Sequence, residues 1–301
     1  MQSQWRGGSA APPQARQKRP ALLSKRDLQG WLLSFPAVLT MIGLAAVPTI
    51  IVLVGAVSPT GLSKLAELSQ APLFRQTLWN TTVWVLVGVF GSMILGFAGA
   101  LALQRVGRRF SGMWRALLLI PWVTPTVAAA TAWKWFYSRD YGILNLLLQN
   151  LGIIDEPVSW LTNTDIALFA VAMVDVWGRF SFVMLMISSG LQAIPSERYE
   201  AARVDGAGAI RTMLNITLPG IRDVVFIVVL IVTVWTLNSF LPVWIMTKGG
   251  PAGATNILPV QLYQYFQTGE RAALEALAGV QLVLSMAVAA LYVSRARRAD
   301  A

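Results

Sequence analysis

Six apolar runs, at residues 31–57, 78–104, 113–137, 166–191, 222–247 and 274–294, constrain this chain before anything else. Crossing the hydrocarbon core of a bilayer takes about 20 apolar residues, and every run meets that length. A chain inside lipid must satisfy its own backbone hydrogen bonds, so such runs fold as helices. The expected fold is all-α: a polytopic bundle of six transmembrane helices. Only 13% of the 301 residues are charged, about half the share typical of a soluble domain. Six spans leave little other chain, so residues 31–295 read as one membrane domain with no soluble catalytic domain.

The net charge of +10 suggests a nucleic-acid binder until its distribution is examined. With the N-terminus taken as cytoplasmic, seventeen Lys and Arg fall on the inner side and six on the outer, and Arg179 lies within a span. That asymmetry is the signature of membrane topology. It predicts both termini inside and no nucleic-acid partner. Residues 1–30 read as a disordered basic cytoplasmic tail and 296–301 as a short cytoplasmic tail. The first apolar run is too long for a signal-peptide core and lacks a convincing small-residue cleavage site, so it is expected to be retained.

Cysteine and histidine are both absent. That removes disulfides, thiolate metal sites, the usual proton shuttle and the commonest metal ligand. No Gly-x-x-x-x-Gly-Lys-Ser/Thr phosphate loop occurs either. The chain is expected to bind no metal or cofactor and to have no catalytic residues; ATP and Mg, if they power it, belong to other subunits.

Between the fourth and fifth runs lies EAARVDGAGAIRTMLNITLP, residues 200–219. Ser196 is a good helix N-cap and Glu197 favours the first turn, which predicts a helix from 196 to about 204. Asp205-Gly206-Ala207-Gly208 reads as a turn, and a second short helix should run to about 217, before Pro219. The spacing Glu-Ala-Ala, three residues, Gly, nine residues, Ile-x-Leu-Pro resembles the signature of the membrane subunits of ABC importers. The resemblance implies that 196–219 is a helix-turn-helix coupling segment docking on an ATPase, with Glu200, Ala201, Ala202, Asp205, Gly206, Ala207, Ile216, Leu218 and Pro219 at the contact. Without the resemblance, the same segment reads as an amphipathic linker lying on the membrane surface.

Met246-Thr247-Lys248-Gly249-Gly250-Pro251, then Tyr263 to Phe266, resemble the Thr-x-Gly-Gly-Pro loop and Tyr-x-x-x-Phe segment of the carbohydrate-importer permeases, the maltose-type family, and more the first of their two paired permeases. Residues 191–195 and 74–81 are similar to that family as well. The resemblance implies as partners a second homologous permease, two ATP-binding subunits, an extracytoplasmic solute-binding protein and a carbohydrate solute. It also implies a bacterial cytoplasmic (inner) membrane location. One departure stands out. The family often has Gly-Leu-x-Asn-Tyr in its first outer loop, where this chain has Gly61-Leu62-Ser63-Lys64-Leu65 in a short loop.

Polar groups inside a span are costly and face a cavity or another helix. Asp175 and Arg179 are four residues apart on one helical face, with Asp175 about 13 Å below the outer end of its span at 1.5 Å per residue. Asn238 lies at similar depth in the fifth run and Gln281 slightly shallower in the sixth. These groups are candidates for a ring of hydrogen bonders around an uncharged, hydroxyl-rich solute, against the alternative that Asp175 and Arg179 only neutralise each other and brace the bundle. An indole face packs well on a sugar ring, which brings in the interior tryptophans Trp133, Trp177 and Trp235, with Trp135, against a simple packing role. Trp31, Trp79, Trp114, Trp160 and Trp244 sit near span ends, as interfacial belts do.

Rival readings are an importer of glycerol phosphate, phosphate or polyamine, a proton-coupled secondary transporter, and a membrane scaffold. The scarcity of membrane charge disfavours a strongly ionic solute. Proton coupling needs a relay of ionisable groups, and Asp175 is the one plausible acid.

Overall fold

The computed structural model describes residues 25–299; the basic tail expected over 1–30 lies mostly outside them. In chain order the helices are α1 (Lys25–Met41), α2 (Val47–Val57), α3 (Pro59–Gln70), α4 (Pro72–Arg105), α5 (Arg108–Val123), α6 (Thr126–Phe136), α7 (Ile143–Asn150) and α8 (Ala167–Gln192). They continue with α9 (Ser196–Val204), α10 (Ala209–Thr212), α11 (Leu218–Gly220), α12 (Arg222–Leu237), α13 (Leu241–Met246), α14 (Leu258–Thr268) and α15 (Arg271–Ala299). Short π-helical turns join α1 to α2 and α10 to α11. No strand occurs among the described residues.

The chain divides into two compact units, one up to Ile51 and one from Val52 onward. The first holds α1, which contains Pro36, and its described side chains from Leu32 to Ile50 are almost all exposed and apolar. The second holds the helices from α3 to α15.

Among the described residues five helices are long and apolar enough to cross a membrane, and α5 with α6 makes a sixth span if that bent pair counts as one. The count of five to six accommodates the six expected runs, but two of them are not continuous rods. The run expected at 113–137 bends by 93° between α5 and α6, and the fifth unwinds at 238–240 between α12 and α13. Both breaks carry prolines: Pro121 and Pro125 in the first, Pro242 in the second. Proline lacks the N–H that the preceding turn needs. Apolar continuity alone hides such a break, because the residues stay hydrophobic through it.

The core of the second unit is the packing of α4 against α8. Gly88, Ser92, Gly96 and Ala100, each four residues from the next, are all buried, so one face of α4 has almost no side chains. A Cβ at Gly96 would sit 2.5 Å from Val183 Cβ, and one at Gly91 would sit 2.8 Å from Val176 Cγ2. The two helices run parallel and approach closely, as small-residue stripes permit in membranes.

At the far end of the bundle, the Gly249-Gly250-Pro251 loop is fastened to the start of α4. Asn80 Nδ2 donates to the carbonyls of Gly253 and Asn256, Asn256 Nδ2 donates to Thr77 Oγ1, and the Leu258 N–H donates to Thr81 Oγ1. Two segments that stood apart in sequence, 74–81 and 247–258, thus form one latch. The short loop around Gly61 is not a loop at all but helix α3, capped by Ser58, whose Oγ accepts from the Gly61 N–H.

Candidate translocation cavity and coupling hairpin

The two helix breaks meet the middle of α8 around a cavity of about 600 Å³. Asp175, Trp177 and Arg179 line it from α8, Pro121, Trp122, Thr124 and Thr126 from the α5–α6 bend, and Trp235 and residues 238–242 from the α12–α13 break. Irregular backbone at membrane depth is tolerated where it borders a cavity or other protein, and both breaks do.

The end of α12 explains most of the polar residues. A helix leaves its last four carbonyls without partners, and here each of the four is capped. Val234 accepts from the Asn238 N–H and side-chain amide; Trp235 accepts from Arg179 Nη2 at 3.3 Å. Thr236 accepts from the indole of Trp84 and from the Ser239 N–H; Leu237 accepts from Gln281 Nε2 at 3.0 Å. The fifth span is therefore built to end inside the bundle.

Asp175 and Arg179 form a two-pronged pair: Nε to Oδ2 at 2.6 Å and Nη2 to Oδ1 at 3.0 Å. Ser239 Oγ adds a third donor to Oδ1 at 3.0 Å. The carboxylate side chain is 4% exposed and the guanidinium 17%. The pair is thus neutralised internally and braces α8 against the broken end of α12 while still bordering the cavity. The same two residues thus brace the helices and border the cavity.

The expected set of pathway residues needs correcting at two positions, Gln281 and Trp133. Gln281 does not line the cavity; it is buried behind Asn238, donating to its Oδ1 at 3.2 Å. Trp133 packs edge-on against Trp177, their ring centroids 5.8 Å apart, and joins the core instead. Trp135 is 67% exposed and borders a second cavity, of about 780 Å³, with Lys134, Arg139, Tyr141, Trp160 and Pro251 at the Gly250 end of the bundle. Sequence reasoning missed Trp122, Thr124, Thr126 and Phe240 as lining residues and Trp84 as a cap. The signal was available for the lining residues, because Trp122, Thr124, Thr126 and Phe240 each lie within two residues of Pro121, Pro125 or Pro242, but not for Trp84.

At the other end, α9 and the helix beginning at Ala209 form the expected hairpin. Its turn is a Schellman motif: the Ala207 N–H donates to Ala202 C=O and the Gly206 N–H to Arg203 C=O, with Gly206 at φ +68. That left-handed angle is why glycine stands there. Ser196 is not the cap; α9 begins at Ser196 itself, after Pro195, with no side-chain capping bond. A groove between the two helices is lined by Ala201, Ala202, Asp205, Ala207 and Ile216, together with Arg198 and Arg211. Glu200, Gly206, Leu218 and Pro219 lie outside it. Tyr199 roots the hairpin in the core and its hydroxyl lies 3.3 Å from Thr217 Oγ1. Val204 and Ile210 stand 88% and 78% exposed at the tip.

A helical membrane bundle with a proline-broken central cavity and a rooted, protruding hairpin has the form of a transport subunit. The family model described as "Binding-protein-dependent transport system inner membrane component" matches residues 88–299, and the chain belongs to that family. It is 36% identical to the trehalose/maltose transport system permease of Thermococcus litoralis over 242 residues, covering 79% of this chain and 80% of that one. It is 35% identical to the sulfoquinovosyl glycerol transport system permease of Agrobacterium fabrum over 246 residues, covering 80% and 77%. The crystal structure of a bacterial ABC transporter that imports the acidic polysaccharide alginate shares the fold, with a TM-score of 0.79 at 20% identity over 91% of this chain and 96% of that one. The protein is an integral membrane subunit of an ABC importer, not an enzyme, and ATP hydrolysis resides in separate subunits.

Proposed function

We propose that this chain forms, with a second homologous permease, the pathway through which a bacterial cytoplasmic membrane imports a carbohydrate delivered by an extracytoplasmic binding protein. The observation that carries this reading is the central cavity. Its one ion pair is closed on itself, so the walls offer a solute no net charge, while Trp122, Trp177, Trp235 and Phe240 offer ring faces, Thr126 offers a hydroxyl, and Thr124 and Asn238 offer acceptor oxygens. Aromatic faces with a few placed polar groups suit a sugar, whose C–H face is apolar and whose rim is hydroxyl. The carbohydrate transporters among its relatives support the same class.

In this reading the 196–219 hairpin docks in a cleft of an ATP-binding subunit, which carries the ATP and Mg. The exposed tip at Val204 and Ile210 and the small side chains of Ala201, Ala202 and Ala207 allow close approach. Both termini and the hairpin then face the cytoplasm, and the Gly250 loop faces the binding protein. An acidic carbohydrate is the second reading, favoured by Lys134 and Arg139 in the outer cavity. Uptake of labelled neutral and acidic sugars by membrane vesicles holding the intact assembly decides between them. Uptake of neither class ends the carbohydrate reading.

A further inference from the structure

We propose that two backbone carbonyls, those of Pro121 and Asn238, accept hydrogen bonds from solute hydroxyls in the central cavity, and that Pro125 and Pro242 keep them free to do so. The proposal rests on the carbohydrate reading and specifies how the solute is held.

In an α-helix the carbonyl of residue i accepts from the N–H of residue i+4. Position i+4 from Pro121 is Pro125, and from Asn238 it is Pro242; neither has an N–H. At the first break the Thr124 N–H is spent on Ile120. At the second the contrast is sharper. The carbonyls of Val234, Trp235, Thr236 and Leu237 all have donors, from as far away in sequence as Trp84 and Gln281. The next carbonyl, that of Asn238, receives none among the described residues. The bundle thus supplies caps to four successive carbonyls, two of them on residues that also line the cavity, and stops at Asn238.

A carbonyl without a donor in an apolar setting is costly, so both groups call for a donor from the cavity itself. The side chains there do not supply it. Arg179 is committed to Asp175 and Trp235, the Asn238 amide to Val234, the Ser239 hydroxyl to Asp175 and the Thr124 hydroxyl to Ile120. Sugar hydroxyls are donors, and two acceptors on opposing helix breaks select for their spacing. A backbone carbonyl also cannot be altered by exchanging the side chain of its own residue. The proline four residues on removes the N–H that a continuous helix would place there.

The test is solute binding to the purified permease–ATPase complex in nanodiscs, without the binding protein, by equilibrium dialysis. The probes are labelled maltose, trehalose, sucrose, diacetylchitobiose and glucuronic acid, and the tightest binder is carried forward with its mono-O-methyl ethers, each lacking one donor. Pro242→Ala and Pro125→Ala each restore an N–H to the ladder and are expected to weaken binding of the parent sugar about two- to tenfold, the effect of one hydrogen bond. For each variant, one ether is expected to bind equally to variant and unsubstituted complex, because the lost bond is the same in both. Pro259→Ala, in the first turn of α14, is the control and is expected to change nothing.

Equal weakening of the parent and of every ether would mean that the cavity has merely collapsed, and overturns the proposal. Unchanged binding in both proline variants overturns it as well. If either variant fails to assemble, the ethers on the unsubstituted complex decide: the proposal requires at least two of them to bind about two- to tenfold more weakly than the parent, and parity for all contradicts it. Failure of every probe to bind, with no vesicle uptake, removes the carbohydrate reading and this proposal together.

Discussion

Arg179 holds both carboxylate oxygens of Asp175 and, with the same Nη2, the carbonyl of Trp235 on another helix. One side chain therefore neutralises a buried acid and caps a helix that ends in midmembrane. Breaking a buried ion pair from one side leaves a bare charge and costs about 3–5 kcal/mol. Asp175→Ala and Arg179→Ala are each expected to reduce the yield and melting temperature of the assembled complex, with Arg179→Ala also releasing Trp235. The double variant should lose less than the sum of the two. Additive losses in a double-mutant cycle on the purified complex would show that the pair is not coupled.

The closeness of α4 and α8 gives a second prediction. Gly96→Leu must push into Val183, whose Cβ lies 2.5 Å from where the new Cβ would stand, and overpacking of this kind costs about 1–3 kcal/mol. Gly112→Leu, with nothing within 4 Å of its added Cβ, should leave the melting temperature unchanged. Similar melting curves for the two variants would contradict the close-packed stripe.

The hairpin is tested by Gly206→Leu. Its open surroundings leave backbone strain as the penalty, about 1 kcal/mol or more at φ +68. The complex should still insert, but solute-stimulated ATP hydrolysis should fall. Glu200→Lys, on the exposed face of α9, should uncouple by charge reversal at the partner surface. Wild-type coupling in both variants would place the ATPase contact elsewhere.

Asn80 makes two bonds to the loop that carries Gly250. Asn80→Ala leaves two carbonyls without that donor, a loss of about 1–3 kcal/mol. It should speed hydrogen exchange across 247–257 while α8 stays protected. Unaltered exchange in that loop would remove the latch.

The sequence made the bundle legible because span length and lipid polarity leave few solutions. The coupling hairpin was legible for a different reason: a glycine at 206 marks a turn, but Pro219 does not end the second helix, whose helical backbone runs on through it to Gly220 because proline is tolerated in the first turn of α11. What could not be read was which polar residues face the cavity. Asp175, Arg179, Asn238 and Gln281 all look alike in an apolar run, yet their roles divide according to where α12 stops. Gln281 serves Leu237 and Asn238 from behind, and Trp84 serves Thr236 across 152 residues. Such caps depend on tertiary placement, and no local pattern announces them. Pro125 and Pro242 were the visible clues, since each deletes one rung of a helix that the hydropathy treats as unbroken.

Central to this account is ATP-driven movement of a carbohydrate through the cavity bounded by α8 and the two helix breaks. The most direct measurement is uptake of a labelled sugar by proteoliposomes holding the full assembly, its binding protein outside and ATP within. Trp177→Ala and Asn238→Ala should lower uptake at limiting sugar severalfold, with assembly and basal ATP hydrolysis retained. ATP-dependent uptake that neither substitution changes, or hydrolysis stimulated by the binding protein with no sugar entering, would contradict it.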